Sequence, residues 1–199
     1  MAETIPLFPL QTMLFPGGEI ALQLFEPRYL DMIKRCMRDD SGFGVVAIRA
    51  GSEVADKSGS TAKLVDIGTY ARIVDWDALE NGRLGVIARG GDKFRILNAD
   101  TQPDHLVVAA IEFLAAEQPQ AMPDEHQYLT EILNDLVRHP SVAHMRFNVD
   151  DTNATQISNL LGQLLPVSTQ AKYELLCCTD ALQRLARISD IIAELGGNQ

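Results

Sequence analysis

IPLFPLQTMLFPGGEIALQLFEPRYLDMI, residues 5–33, sets out an extended apolar opening, a proline-glycine reversal, an alternating strand and a helix entry in one short stretch. Pro6, Pro9 and Pro16 fix φ and withhold backbone donors, so the LFPL and LFPG segments read as edge-strand pieces and turns with their phenylalanines inward. Gly17-Gly18 then reverses the chain. Ile20, Leu22 and Leu24 alternate with Ala21 and Gln23, the period-2 pattern of a half-buried strand. Glu26-Pro27 opens a helix, since proline at the first helical position has no amide to leave unsatisfied. Leu30, Ile33, Cys36 and Met37 then share a face, and Gly42 closes the element. Within FEPRY, Glu26 sits where a helix N-terminus favours negative charge, Arg28 pairs nearby and Tyr29 packs on the sheet, a mechanical reading that leaves no chemistry over.

Outward from this opening, the pattern predicts strands at Phe43 to Ile48, Lys63 to Ile67, Thr69 to Asp75, Arg83 to Arg89, Phe94 to Asn98 and Leu106 to Phe113. Asn81-Gly82 and Gly90-Gly91-Asp92 mark the reversals between them. Many strands, short connections and one helix among them predict a closed or nearly closed antiparallel barrel, because closure removes exposed edges. Ala115 to Pro123 (AAEQPQAMP) connects this half to a helical one. There Leu129, Ile132, Leu133, Leu136 and Val137 form one stripe, and Ile157, Leu160, Leu161, Leu164 and Leu165 another. Pro140 and Pro166 stop those helices. Ser168 or Thr169 caps a third, Asp180 with Gln183 starts a fourth, and Gly196-Gly197 ends it. The expected class is α+β, with a β-barrel domain over residues 1–116 and a helical bundle over 117–199.

Composition narrows the function classes. The formal net charge of -10 opposes a nucleic-acid duplex, and the grouping Lys34, Arg35 and Arg38 is offset by Asp39 and Asp40. No apolar run approaches the roughly 20 residues of a membrane span, and no basic leader precedes an apolar core, so a cytoplasmic protein is expected. Cys36, Cys177 and Cys178 read as reduced thiols.

The candidate chemistry is sparse. His126, His139 and His144 lack the spacing and companion ligands of a zinc site, so no metal is expected. Cys177-Cys178 lies in a leucine-rich helix without a group to lower a thiol pKa, and Ser141 beside His139 and His144 forms no nucleophile pattern. Asp150-Asp151-Thr152-Asn153 reads as a helix-capping loop. Trp76, the one tryptophan, stands between Asp75 and Asp77 at a predicted strand end. Two readings stay open there: a ring folded over the barrel's end, or an exposed contact anchor for a binding partner.

The opening stretch, GTYARIVDW at 68–76, NGRLGVIARGGDKFRI at 81–96 and KYELLCCTDALQRLARI at 172–188 together resemble the Lon protease N-terminal, substrate-binding domain family, in the family's order along nearly the whole chain. Lys93 departs from the arginine often found before the FRI segment, replacing a planar fork with a point charge. The resemblance implies a PUA-like pseudo-barrel followed by a helical bundle, and a module that binds unfolded or partly unfolded proteins or peptides without a catalytic centre. It leaves open whether a separate protease takes part. No GxxxxGK[ST] loop is present to hold ATP, and the length leaves no room for a serine-lysine protease domain, so no cofactor is expected. The alternatives are an RNA-binding PUA-like module, which the acidic balance opposes, and a small hydrolase, for which no nucleophile and base can be named together.

Overall fold

The computed structural model describes residues 3–49, 64–80, 82–140, 142, 145, 147 and 149–197. Lys63, Asn81, Ser141 and His144 lie outside the described residues. The strands are β1 (Glu3–Leu10), β2 (Glu19–Leu24), β3 (Phe43–Ala47), β4 (Ile67–Ala78), β5 (Leu84–Thr101) and β6 (Val107–Phe113), with helix α1 (Pro27–Arg38) between β2 and β3. A 3-10 turn at Asp124–His126 leads to α2 (Tyr128–Val137), α3 (Ala154–Leu164), α4 (Thr169–Cys177) and α5 (Ala181–Gly197). The α+β class expected from the pattern is therefore present.

The six strands pair in the order β2-β5-β4-β3-β1-β6, and β5 pairs with β6 as well, so the ladder returns to β5. Several local expectations give way. First, β1 and β3 run parallel, Leu7 opposite Gly44 and Leu10 opposite Ala47, where antiparallel pairing was expected. The intervening β2 and α1 supply the crossover that a parallel pair requires. Second, β1 is no edge strand: Glu3 to Pro6 pair with β6 and Leu7 to Leu10 with β3. Each half has one side without a ladder partner, and there a proline nitrogen costs no hydrogen bond.

Third, Arg83–Arg89 and Phe94–Asn98 are not two strands joined by a reversal. They belong to the single strand β5, and Gly90-Gly91 lie within it. Neither is left-handed, since the left-handed glycines among the described residues are Gly17 (φ 77°) and Gly82 (φ 75°), and Gly90 serves close approach instead. The LFPGG turn lies against Gly90: Gly17 N donates to Gly90 O at 2.8 Å and Gly90 N to Gly18 O at 2.9 Å. A Cβ on Gly90 would stand 2.3 Å from the Phe15 carbonyl oxygen, a backbone atom that cannot swing away. Gly90→Ala is expected to lower stability by about 1–3 kcal/mol, the usual range for overpacking. Gly91→Ala, whose nearest contact is 3.4 Å away, serves as the mild comparison. Urea unfolding of the two variants checks the difference.

The helix α1 also stops short of Gly42. It ends at Arg38, and Asp40 takes the left-handed turn (φ 48°). Gly42 instead lets β4 approach, its N donating to the Tyr70 hydroxyl at 2.6 Å and its missing Cβ leaving room for Ala71 O. At the helix entry, Arg28 pairs with Glu26 at 2.6 Å, and the Tyr29 ring lies 4.2 Å from that of Phe8.

Two apolar clusters flank the sheet. Leu22, Val86, Ala88 and Phe8 pack with Met32 and Ile33 of α1. Leu7, Phe94 and Ile111 pack with Leu133, Leu160 and Leu185 of the helical half, so this second cluster draws on both sides of residue 116. Capping in the helical half follows local sequence. Asn153 Oδ1 accepts from Gln156 N, Ser168 Oγ from Ala171 N, and Asp180 Oδ1 from Leu182 N and Gln183 N. Thr169, the other capping candidate, turns its hydroxyl to Gln11 O at 2.7 Å.

Candidate functional site

The outer end of β4 is one place where the sheet leaves apolar surface uncovered. β4 pairs with β3 only through Thr69 to Ala71, whereas its pairing with β5 continues to Ala78 opposite Leu84. From Arg72 outward the strand therefore has one side with no strand partner among the described residues. Every residue from Val74 to Ala78 is exposed, including Val74 at 44% and Trp76 at 56%. A register shift between Ile73 and Asp75 bulges the strand there, the kind of irregularity that re-aims side chains.

Two concavities meet on this strand. One, of about 340 Å³, is walled by Met37 and Asp40 at the end of α1 and by Val74 and Trp76. The other, of about 480 Å³, is walled by Tyr70, Arg89 and Phe113. Arg72 and Val74 border both. Arg72 is held between them, its Nη1 donating to Asp40 O at 3.1 Å and its guanidinium carbon 6.0 Å from the Tyr70 ring centre. Tyr70 meets Phe113 edge to face at 5.5 Å. Trp76 stands exposed, with more than half of the residue facing solvent.

A second arrangement, at the joint between the halves, is hard to foresee from local sequence. Lys93 on β5 is buried, and its Nζ donates to Glu117 Oε1 at 2.5 Å, Leu176 O at 2.9 Å and Cys178 O at 3.3 Å. Arg184 on α5 is 0% exposed. It grips both oxygens of Glu117 with its two terminal nitrogens and donates through Nε to Ser158 Oγ at 3.1 Å. A point charge and a planar fork thus share one carboxylate. Burial pushes the Glu117 carboxyl up, but the hydrogen bonds from Arg184 and Lys93 outweigh it and hold the group below the ordinary glutamate range. All three of Lys93's protons are engaged, so the cluster ties β5, the connecting stretch and α5 together. One signal was available: Arg184 falls on the apolar stripe of Ala181, Leu185 and Ile188.

Among the described residues the remaining candidates are not assembled into a centre. His126 lies near Ser189, Nδ1 3.3 Å from Oγ, while His139 sits just beyond the end of α2. Among the described residues no group of three or more His, Cys, Asp or Glu side chains could hold a metal ion. Cys177 and Cys178 are both half-buried, and burial pushes the Cys177 thiol up, away from a thiolate. The Cys178 carbonyl matters more than its thiol, since Lys93 and Arg184 both donate to it.

The family model for the ATP-dependent protease La (LON) substrate-binding domain matches residues 4–194 of this chain. The chain belongs to the Lon substrate-binding domain family. Its fold is that of the Lon N-terminal domain protein from Xanthomonas campestris, with a TM-score of 0.75 and 29% identity over 94% of this chain and 98% of that one. The N-terminal domain of the Mycobacterium avium complex Lon protease shares the fold at TM-score 0.62 and 15% identity, covering 94% of this chain and 97% of that domain. Among curated relatives, the Lon protease of Parabacteroides distasonis is 26% identical over 96% of this chain and 24% of its own length. Protein cereblon of Gallus gallus is 27% identical over 56% of this chain and 24% of its own length. The chain thus spans about a quarter of each of these two curated relatives, and the family model it matches is that of the substrate-binding domain. Among the described residues no helix is long and apolar enough to cross a membrane.

Proposed function

We propose that this Lon-type domain is a non-catalytic protein-binding module of the cytoplasm that holds unfolded or partly unfolded segments of other proteins, as a recognition or adaptor unit for proteolysis. It comprises a PUA-like pseudo-barrel over residues 1–116 and a helical bundle over 117–199, tied by the Lys93–Glu117–Arg184 cluster. The supporting observation is the uncovered outer end of β4, where Trp76 and Val74 stand exposed over two adjoining concavities. Tryptophan is the side chain most often found at energetic centres of interfaces.

Trp76 is the chain's sole tryptophan, so its emission reports on this surface alone. Titration with a permanently unfolded model protein is expected to shift that emission to the blue with saturation. Trp76→Ala is expected to weaken binding roughly tenfold or more when followed by calorimetry, the loss typical of a hot spot. Absence of saturable binding to any unfolded chain would refute the assignment.

A further inference from the structure

We propose that the free side of β4, from Arg72 to Ala78, accepts an extended segment of a partner protein as an added strand, and that the preferred segment carries apolar side chains flanked by lysine or arginine. This rests on the protein-binding reading above and specifies its partner.

The backbone supports strand addition. Beyond Ala71 the side of β4 away from β5 has no strand partner among the described residues, over a length typical of a strand. Trp76 N is occupied by the side chain of its own neighbour, donating to Asp75 Oδ1 at 2.9 Å, a bond that an incoming strand can replace. Beside this edge runs the 340 Å³ concavity, whose exposed apolar walls are Met37, Val74 and Trp76. An extended segment laid along the edge would place alternate side chains against those walls.

The charges select the segment. Asp75, Asp77 and Glu80 are exposed around the edge, and Asp40 beside them is paired with Arg72 at 3.8 Å. The basic side chains nearby are already paired or stacked: Arg72 is held by Asp40 and lies over Tyr70, Arg38 pairs with Asp39 at 2.8 Å, and Arg83 lies over the Phe25 ring at 5.1 Å. The rim is therefore acidic around an apolar centre, within a chain of formal net charge -10. Such a rim repels a second copy of itself, since edge-to-edge pairing would set these aspartates against one another. A segment with cations at its ends meets both features.

The test compares four synthetic peptides that share one extended aromatic-aliphatic core free of tryptophan: one flanked by lysines, one flanked by glutamates, and two versions of the lysine peptide with alternate backbone nitrogens methylated, one for each register. Binding is followed by Trp76 emission and by calorimetry. The lysine peptide is expected to bind roughly tenfold tighter than the glutamate peptide, with affinity falling as salt rises. Methylation of the register that faces β4 is expected to abolish binding, since it removes the ladder donors. The double variant Asp75→Asn, Asp77→Asn keeps a side-chain acceptor for Trp76 N and is expected to lose most of the preference for lysine. Equal affinity for the lysine and glutamate peptides, or binding indifferent to methylation in both registers, overturns the inference. So does a dimer in sedimentation that Trp76→Ala disperses, which would assign the edge to a second copy. Saturable capture of an unfolded model protein without discrimination among the peptides would defeat this inference and leave the broader binding role standing.

Discussion

Glu117→Ala is expected to remove about 3–5 kcal/mol of folding stability, because it strands two cations in the interior rather than removing one contact. Arg184 is fully buried and Lys93 nearly so, and Glu117 is the carboxylate that both contact. With the carboxylate gone, the joint holds two positive charges facing the same carbonyl, that of Cys178. Lys93→Met is the informative comparison. It leaves Arg184 and Glu117 as a neutral pair and deprives the Leu176 carbonyl of its donor, a loss expected near 1–3 kcal/mol. Urea unfolding ranks the two variants. Equal losses would mean that the lysine and the carboxylate matter only as packing.

The same carboxylate gives stability a defined response to acid. Its folded-state pKa lies below the ordinary value, so its contribution is complete at pH above about 4.3, the unfolded glutamate value, and fades as pH falls through the lower folded value. Between neutral pH and that range Glu117 adds no slope. Urea midpoints for wild type and Glu117→Ala are therefore expected to differ by a constant amount near neutrality and to converge on acidification. Curves that stay parallel into the acid range would remove the charge from the explanation.

That joint also shows where the sequence becomes illegible. Helix caps were readable because donor and acceptor lie two or three residues apart: Asp180 with Leu182 and Gln183, Ser168 with Ala171. The alternation of Ile20, Leu22 and Leu24 gave β2 for the same reason, a face repeating over a few residues. Glu117 meets Lys93 from 24 positions away and Arg184 from 67, and it sits in a proline-bearing stretch with the composition of a linker. Nothing local couples the three. Gly90-Gly91 misled because a glycine pair serves a reversal and a close backbone approach equally well. Only the arrival of the LFPGG turn decides between them. The free edge beside Trp76 depends on where β3 begins, and β3 begins at Phe43 opposite Ala71, a register that residues 68–76 cannot announce.

Phe15→Ala is expected to cost about 3–5 kcal/mol, the range for emptying an aromatic site that cannot collapse. The residue belongs to the LFPG segment, and its ring is fully buried against the helical half. On α3, a Cβ at Gly162 would lie 2.7 Å from Phe15 Cε1, so the helix lacks a side chain where the ring enters. The next residue fixes the backbone: Gln163 Oε1 accepts from Phe15 N at 3.0 Å, and Gln163 Nε2 donates to Glu19 O at 2.6 Å. Leu14 points the other way, into the cluster under α1, so consecutive side chains of one turn pin the strands to both helical layers. Because ring and glycine occupy one space, their substitutions must couple. Gly162→Ala alone overpacks the site at about 1–3 kcal/mol. Combined with Phe15→Leu, which frees volume beside the new methyl, its cost is expected to shrink, giving a double-mutant coupling of about 0.5–3 kcal/mol by urea unfolding. Strict additivity would mean that the ring and the helix do not share that space, and that the LFPG segment joins the two layers through its backbone alone.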